Sequence, residues 1–105
     1  MSVEEEAKRQ EERRRYVVAY DIPDDRRRNQ VARFLNGYGE RVQYSVWECM
    51  LTSSQAEKMR RGLARRIHEA EDRVRIYRLC PVCAGEVQTL GQAAPPVEVP
   101  EVYIA

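Results

Sequence analysis

The sequence predicts an α+β domain in the order βαββαβ, followed by a C-terminal extension strand. Three observations carry this reading. Residues 16–20, YVVAY, form an apolar run of strand length, too short for a helix and rich in valine and tyrosine. Two later segments space their apolar residues as helices do. Strand-like runs recur at 41–51 and 73–80, so helices and strands interleave along one chain. At 105 residues, the chain has room for one compact domain.

The elements follow in order. Residues 1–15, MSVEEEAKRQEERRR, are a charge run with acid first and base last. That polarity suits a helix dipole, and Glu4–Lys8 and Glu5–Arg9 stand four apart. There is almost no apolar face to bury, so this reads as a charged N-terminal extension, either a solvated helix or a disordered tail. The wholly apolar strand 16–20 is expected at the centre of the sheet. Pro23 ends it, Asp24 caps the next helix, and Val31, Phe34, Leu35 and Tyr38 form the helix's buried stripe. Gly37 and Gly39 then stop it. In 41–51, Val42, Tyr44 and Val46 alternate with Gln43 and Ser45, which predicts one apolar face. The phase slips near Trp47, where a bulge or sharp bend is expected to divide the run into two strands. Thr52-Ser53-Ser54 starts the second helix, with Ser54 and Glu57 as a capping box. Its stripe is Ala56, Met59, Leu63, Ile67 and Ala70. In 73–80, Val74, Ile76 and Leu79 alternate with Arg73, Arg75 and Arg78, a strand with a basic face. Residues 85–90 read as another short strand. Pro95-Pro96 marks a linker, and 97–104 is a last extended segment.

With 41–51 counted as two strands, the arrangement is ferredoxin-like and spans 16–90. Residues 91–105 form the proline-containing linker and the C-terminal strand. That strand has little of its own domain left to pair with and suits the sheet edge of a second copy. A homodimer would also supplement the modest core of so small a domain.

Net charge is +1, which by itself names no partner. The distribution is more telling, because among 18 basic residues only Lys8 and Lys58 are lysine. Arginine grips phosphate with a planar fork of donors, although a codon bias would also enrich it. The clusters Arg26-Arg27-Arg28, Arg60-Arg61 and Arg65-Arg66 are either solvated helix faces or a track for a nucleic-acid backbone. No apolar run approaches the ~20 residues of a membrane span. The charged N-terminus does not resemble a signal peptide, so a cytoplasmic protein with no membrane contact is expected.

The three cysteines, an odd number, argue against a disulfide framework. Cys80-Pro-Val-Cys83 has the spacing of a zinc half-site or a redox pair. Zinc would need two more ligands, with only His68 and Cys49 on offer. A redox motif should open a helix after a strand, whereas strand-like residues follow here. Buried, inert thiols are therefore expected, and His68, one position past the apolar stripe, is read as exposed and without a role. Asp21 poses the sharper question, being a carboxylate that ends an apolar strand just ahead of three arginines. A turn residue capping its own backbone explains it, and so does a metal ligand that handles phosphate.

Several stretches resemble the small CRISPR-associated protein two family, companion of the CRISPR integrase. They are Val17-Val18-Ala19-Tyr20-Asp21-Ile22, Arg28-Asn29-Gln30-Val31-Ala32-Arg33-Phe34-Leu35, Tyr38-Gly39, Arg41-Val42-Gln43-Tyr44-Ser45-Val46-Trp47-Glu48-Cys49, Asp72-Arg73-Val74-Arg75-Ile76-Tyr77 and Leu79-Cys80. The resemblance implies a ferredoxin-like homodimer that acts with the integrase (protein one) in spacer acquisition. There it bridges integrase dimers and holds double-stranded protospacer DNA. It also implies a magnesium-dependent endonuclease on RNA or DNA, with manganese as a substitute. By position, Asp21 matches the family's metal-binding aspartate, and Tyr20, Arg28, Arg41 and Trp47 match residues implicated in activity. Trp47 stands where phenylalanine is common, and Gln30 where some members carry a second arginine. One Asp21 per chain makes a thin metal site; a two-fold axis beside the strand end would bring in a second. The residues themselves leave other readings open. Tyr20 either packs or orients a water, Trp47 is core or a base stacker, and the chain is a structural DNA-binding subunit, a stand-alone metal-dependent nuclease or a ferredoxin-like regulatory module.

Overall fold

A computed structural model describes residues 12–92. Four strands, β1 (Arg14–Asp21), β2 (Glu40–Gln43), β3 (Val46–Leu51) and β4 (Arg73–Leu79), form one sheet in the order β2-β3-β1-β4. All neighbours are antiparallel. The helices are α1 (Asp25–Leu35), α2 (Ser53–Arg66) and a single turn, α3 (Pro81–Ala84). The order of elements and the central place of β1 are those of the predicted ferredoxin-like α+β fold. The expected strand 97–104 lies outside the described residues, as do residues 1–11 of the charged extension.

Alternation along the strands decides where the core sits. Tyr16, Val18 and Tyr20 of β1 and Trp47, Cys49 and Leu51 of β3 share one face and meet Val31 and Leu35 of α1 and Met59 and Leu63 of α2. Gly62 makes close helix contact possible, because a Cβ there would stand 2.1 Å from the Phe34 ring. Gly39 does the same for the chain entering β2, where a Cβ would come within 2.2 Å of the Glu48 carbonyl oxygen. On the opposite face Val17, Ala19, Val46, Met50 and Leu79 are only half-buried, and Tyr77 is 46% exposed. That face also carries the buried Arg15–Glu48 ion pair, at 3.1 Å.

Several local expectations need correction. β1 begins at Arg14, inside the stretch read as extension, because Leu51, Met50 and Leu79 are in register to pair with Arg14 and Arg15. The break in 41–51 falls at Tyr44-Ser45 and not at Trp47, with the register shift between Arg41 and Gln43. Tyr44 therefore sits on the hairpin turn, 66% exposed, instead of sharing a buried face with Val42 and Val46. The β1–β3 register holds this turn in place, and the Tyr20 amide donates to the Ser45 carbonyl at 3.1 Å. α1 is capped by Asp24 as predicted, its carboxylate accepting from the Arg27 amide at 2.8 Å. α2 is capped by Thr52 with Gln55, not by Ser54 with Glu57. The Thr52 hydroxyl accepts from the Gln55 amide at 3.2 Å, and the Gln55 side chain accepts from the Thr52 amide at 2.9 Å. α2 stops at Arg66, so Ala70 lies in an exposed turn beyond the buried stripe. Leu79 faces the side opposite Val74 and Ile76, since an odd separation on a strand reverses the face. After β4 the chain forms α3 and turns where 85–90 were read as a strand.

Candidate functional site

The end of β1, the start of α1 and the β2–β3 turn converge. Asp21 is the last residue of β1 and is exposed. Its side chain makes no hydrogen bond or ion pair among the described residues. The register sets Arg73 of β4 directly opposite it. Arg28, in the first turns of α1, reaches back under the loop that follows Asp21. It donates to the Ile22 carbonyl at 2.9 Å and to the Tyr44 hydroxyl at 3.2 Å, and it pairs with Asp25. These bonds, that to Asp25 foremost, hold the guanidinium's pKa above its ordinary value, so Arg28 is a permanent cation.

Tyr44 is the centre of a cation–aromatic stack. The Arg28 and Arg41 guanidinium carbons lie 5.7 and 5.4 Å from its ring centre. Arg41 also lies over the Trp47 ring, at 5.2 Å, because Arg41 and Trp47 are cross-strand partners. Trp47 is buried at 3% exposure, and its indole N–H donates to the buried Tyr20 hydroxyl at 3.1 Å. The structure thus gathers Asp21, Tyr20, Arg28, Arg41 and Trp47 at one end of the sheet. It divides them into an exposed set of Asp21 and Arg41, the partly exposed Arg28, and a buried pair, Tyr20 and Trp47, that supports the others from within the core. Tyr44 and Arg73 belong to this end and were missed as site residues. In the sequence, the alternation through 41–51 points Tyr44 to a buried face, and Arg73 is one charge of a basic strand face.

The remaining arginines differ in how much of their charge is committed. Arg27 bridges to the fully buried carboxylate of Asp72 through two bonds, at 2.9 and 3.0 Å, and to Glu71 at 2.9 Å. Asp72 also accepts from the His68 amide at 2.7 Å. Arg60 pairs with Glu57 at 2.5 Å, with Arg61 4.0 Å from the same carboxylate. Arg66 lies over Phe34, 4.0 Å from the ring centre, and donates to the Gly62 carbonyl at 2.9 Å. Arg26 and Arg65 are exposed, with no such partner among the described residues. Arg33 and Arg66 flank an open depression between α1 and α2, lined also by Gln30 and Phe34.

A magnesium ion takes one or two carboxylates and retains several waters. The exposed, uncommitted oxygen donors of Asp21 fit that chemistry. Among the described residues no group of three or more His, Cys, Asp or Glu side chains that could hold a metal ion exists. His68 is exposed, as expected, whereas Cys80 and Cys83 are exposed and not buried; only Cys49 is a core thiol. Burial pushes the Cys49 thiol up to about 11. Among the described residues no helix is long and apolar enough to cross a membrane.

Fold and site together define a ferredoxin-like domain with an acidic strand end set beside an arginine–aromatic cluster. The family model described as CRISPR associated protein Cas2 matches residues 14–87, and the chain belongs to that family. It is 48% identical over 92 residues to a protein named CRISPR-associated endonuclease Cas2 2 from Thermus thermophilus, covering 88% of this chain and 97% of that one. It is 42% identical over 90 residues to CRISPR-associated endoribonuclease Cas2 1 from Chloroflexus aurantiacus, covering 85% of this chain and 97% of the relative. The crystal structure of Streptococcus pyogenes Cas2 superposes with a TM-score of 0.66 at 33% identity, over 73% of this chain and 99% of that one. A chain of a partial Cas6-RT-Cas1–Cas2 complex superposes with a TM-score of 0.64 at 25% identity, over 73% of this chain and 90% of its own length.

Proposed function

We propose that the protein is a CRISPR adaptation subunit that pairs with a second copy, bridges integrase dimers and holds protospacer DNA. Its strand-end carboxylate retains the chemistry of a magnesium-dependent endonuclease. The observation that carries this is Asp21, exposed and uncommitted at the end of the central strand, next to a cationic cluster built on Tyr44. A partner of the Cas1 kind is supported by the similarity to a chain of a Cas1–Cas2 complex. The open sheet face, with half-buried Val17, Ala19, Val46 and Leu79 and exposed Tyr77, suits a second copy. A two-fold axis near this face would bring two Asp21 side chains into one site.

When bound, magnesium would supply an activated water and neutralise charge developing on the phosphate. This chain's own residues do the rest. Asp21 holds the ion, Arg28 and Arg41 present fixed positive charge to phosphate oxygens, and the Trp47–Tyr20 hydrogen bond keeps the wall beneath Arg41 in place. A second reading, a stand-alone nuclease, is favoured by the names of the relatives, endoribonuclease and endonuclease. Asp21→Asn and Asp21→Ala distinguish the two. Cleavage of RNA and DNA in magnesium or manganese should fall by roughly a hundredfold or more, since an amide is a poor ligand for a hard cation. Spacer acquisition in cells should persist if the protein's role is structural. Loss of acquisition together with cleavage would favour the nuclease reading, and unchanged cleavage would remove Asp21 from the site.

A further inference from the structure

The Cys80-Pro-Val-Cys83 segment takes no part in the site described above. β4 ends at Leu79 and Cys80 caps the single turn α3, so the motif opens a helix directly after a strand. That is the local setting of a redox pair, whereas the sequence predicts strand-like residues after the motif. Both thiols are free and exposed, unlike Cys49. The Cys80 sulfur accepts from the Cys83 amide at 3.3 Å. Residues three apart on one turn are neighbours, and Pro81 pre-sets the backbone between them. A zinc site is not favoured, because no third ligand stands near among the described residues.

We propose that Cys80 and Cys83 form a reversible dithiol–disulfide pair, in which Cys80 is the attacking thiolate and Cys83 the resolving thiol, with low-molecular-weight disulfides as co-substrate. The Cys80 thiolate attacks one sulfur of the small disulfide, forming a mixed disulfide and releasing one small thiolate. Cys83 then loses its proton to water and attacks the Cys80 sulfur, closing the protein disulfide and releasing the second small thiolate. Two electrons pass from the protein to the small disulfide, and excess small thiol reverses both steps. The division of roles follows the hydrogen bonds. Donation from Cys83, its backbone amide first, lowers the Cys80 thiol below its ordinary value, whereas Cys83, facing the Cys80 sulfur, is raised. The closed bridge would pin α3, which packs on β1 and β4, at the point where the chain leaves the sheet.

The test is to equilibrate the reduced full-length protein with mixtures of reduced and oxidised glutathione, quench with an alkylating agent, and read the products by peptide mass spectrometry. Wild type should give an intramolecular Cys80–Cys83 disulfide that excess reduced glutathione reopens. Cys83→Ser should accumulate the glutathione adduct on Cys80. Cys80→Ser should react more slowly than Cys83→Ser, since the remaining Cys83 sulfur lacks the backbone amide donor that favours the Cys80 thiolate. Cys49 should remain a thiol in every case. A stable glutathione adduct in the wild type, a bridge between two chains, or equal reaction rates of the two single variants would overturn the proposal. So would a zinc ion retained by the reduced protein in native mass spectrometry and lost in either variant.

Discussion

Asp72 carries a buried charge that ties two distant parts of the chain together. Its carboxylate is fully buried and receives two bonds from Arg27 and one from the His68 amide, which clasps the start of α1 to the loop before β4. The Arg27 bond, first among these causes, holds the carboxyl below its ordinary range. A folded-state value below the unfolded one means that the charged form favours folding. Its contribution is complete above the unfolded value, about pH 4, and is lost as pH falls through the lower folded value. Denaturant midpoints measured at about pH 7 and about pH 3 should therefore drop for wild type and drop less for Asp72→Asn, which starts lower at neutral pH. An equal fall in both proteins would show that other carboxylates govern the acid limb. At the site end of the molecule, Trp47→Phe keeps an aromatic ring but removes the hydrogen bond to Tyr20. It should cost about 1 kcal/mol of stability, together with some loss of packing volume.

The contact between the two long helices is set by a residue with no side chain. Gly62 has ordinary helical backbone, so its role is space: the Phe34 ring lies where a Cβ would go. Gly62→Ala should destabilise by about 1–3 kcal/mol through overpacking, despite alanine's better helix propensity. Combining it with Phe34→Leu should recover part of that loss, giving non-additive changes in the denaturation midpoint. If Gly62→Ala instead stabilises the protein, the helices are free to separate and the close approach is not needed. At the other end of α2, Thr52→Ala removes the observed cap and should cost about 1 kcal/mol, while Ser54→Ala should be near neutral. The comparison separates the cap seen in the structure from the one expected from the sequence.

For the whole molecule, the two long helices pack on one face of the sheet, and among the described residues its other face presents Tyr77 among half-buried aliphatic side chains. If this face receives a second copy, a charge placed there should disfavour association. In sedimentation, wild type is expected to be dimeric at micromolar concentration, and Tyr77→Asp to shift towards monomer while retaining its circular dichroism spectrum. The surface charges allow a second prediction. Arg27, Arg60 and Arg66 already have partners, whereas Arg26 and Arg65 have none among the described residues. Where the protein binds duplex DNA, each phosphate contact contributes a slope of about 0.9 to the salt dependence of log affinity. Replacing Arg26 and Arg65 with Gln should lower that slope more than replacing Arg27 and Arg60, because the latter two must first give up a carboxylate. Equal slopes would mean that the internal pairs do not compete with phosphate.

The order of elements, the central strand and most of the core are legible in the amino-acid string, because those depend on apolar periodicity and on breakers that act over a few residues. The run 16–20, the Asp24 cap and the stripes through Val31, Leu35, Met59 and Leu63 are of this kind. The sequence also held Asp21 as a carboxylate out of place on an apolar strand, and the family resemblance pointed to Arg28 and Arg41 beside it. Features that depend on pairing across distance emerge when the chain is folded. The hairpin turns at Tyr44-Ser45 because β3 must register against β1, so Tyr44 meets Arg28 and Arg41 and stays outside the core. Leu79, by contrast, faces away from Val74 through strand parity alone, since the two stand five residues apart on β4. Cys80 and Cys83 are exposed on a helical turn because no further strand pairs beyond β4 among the described residues. Which arginines keep their charge for a partner was likewise invisible in the sequence, since Arg27 and Asp72 lie far apart along the chain and meet only when the sheet brings α1 to the loop before β4.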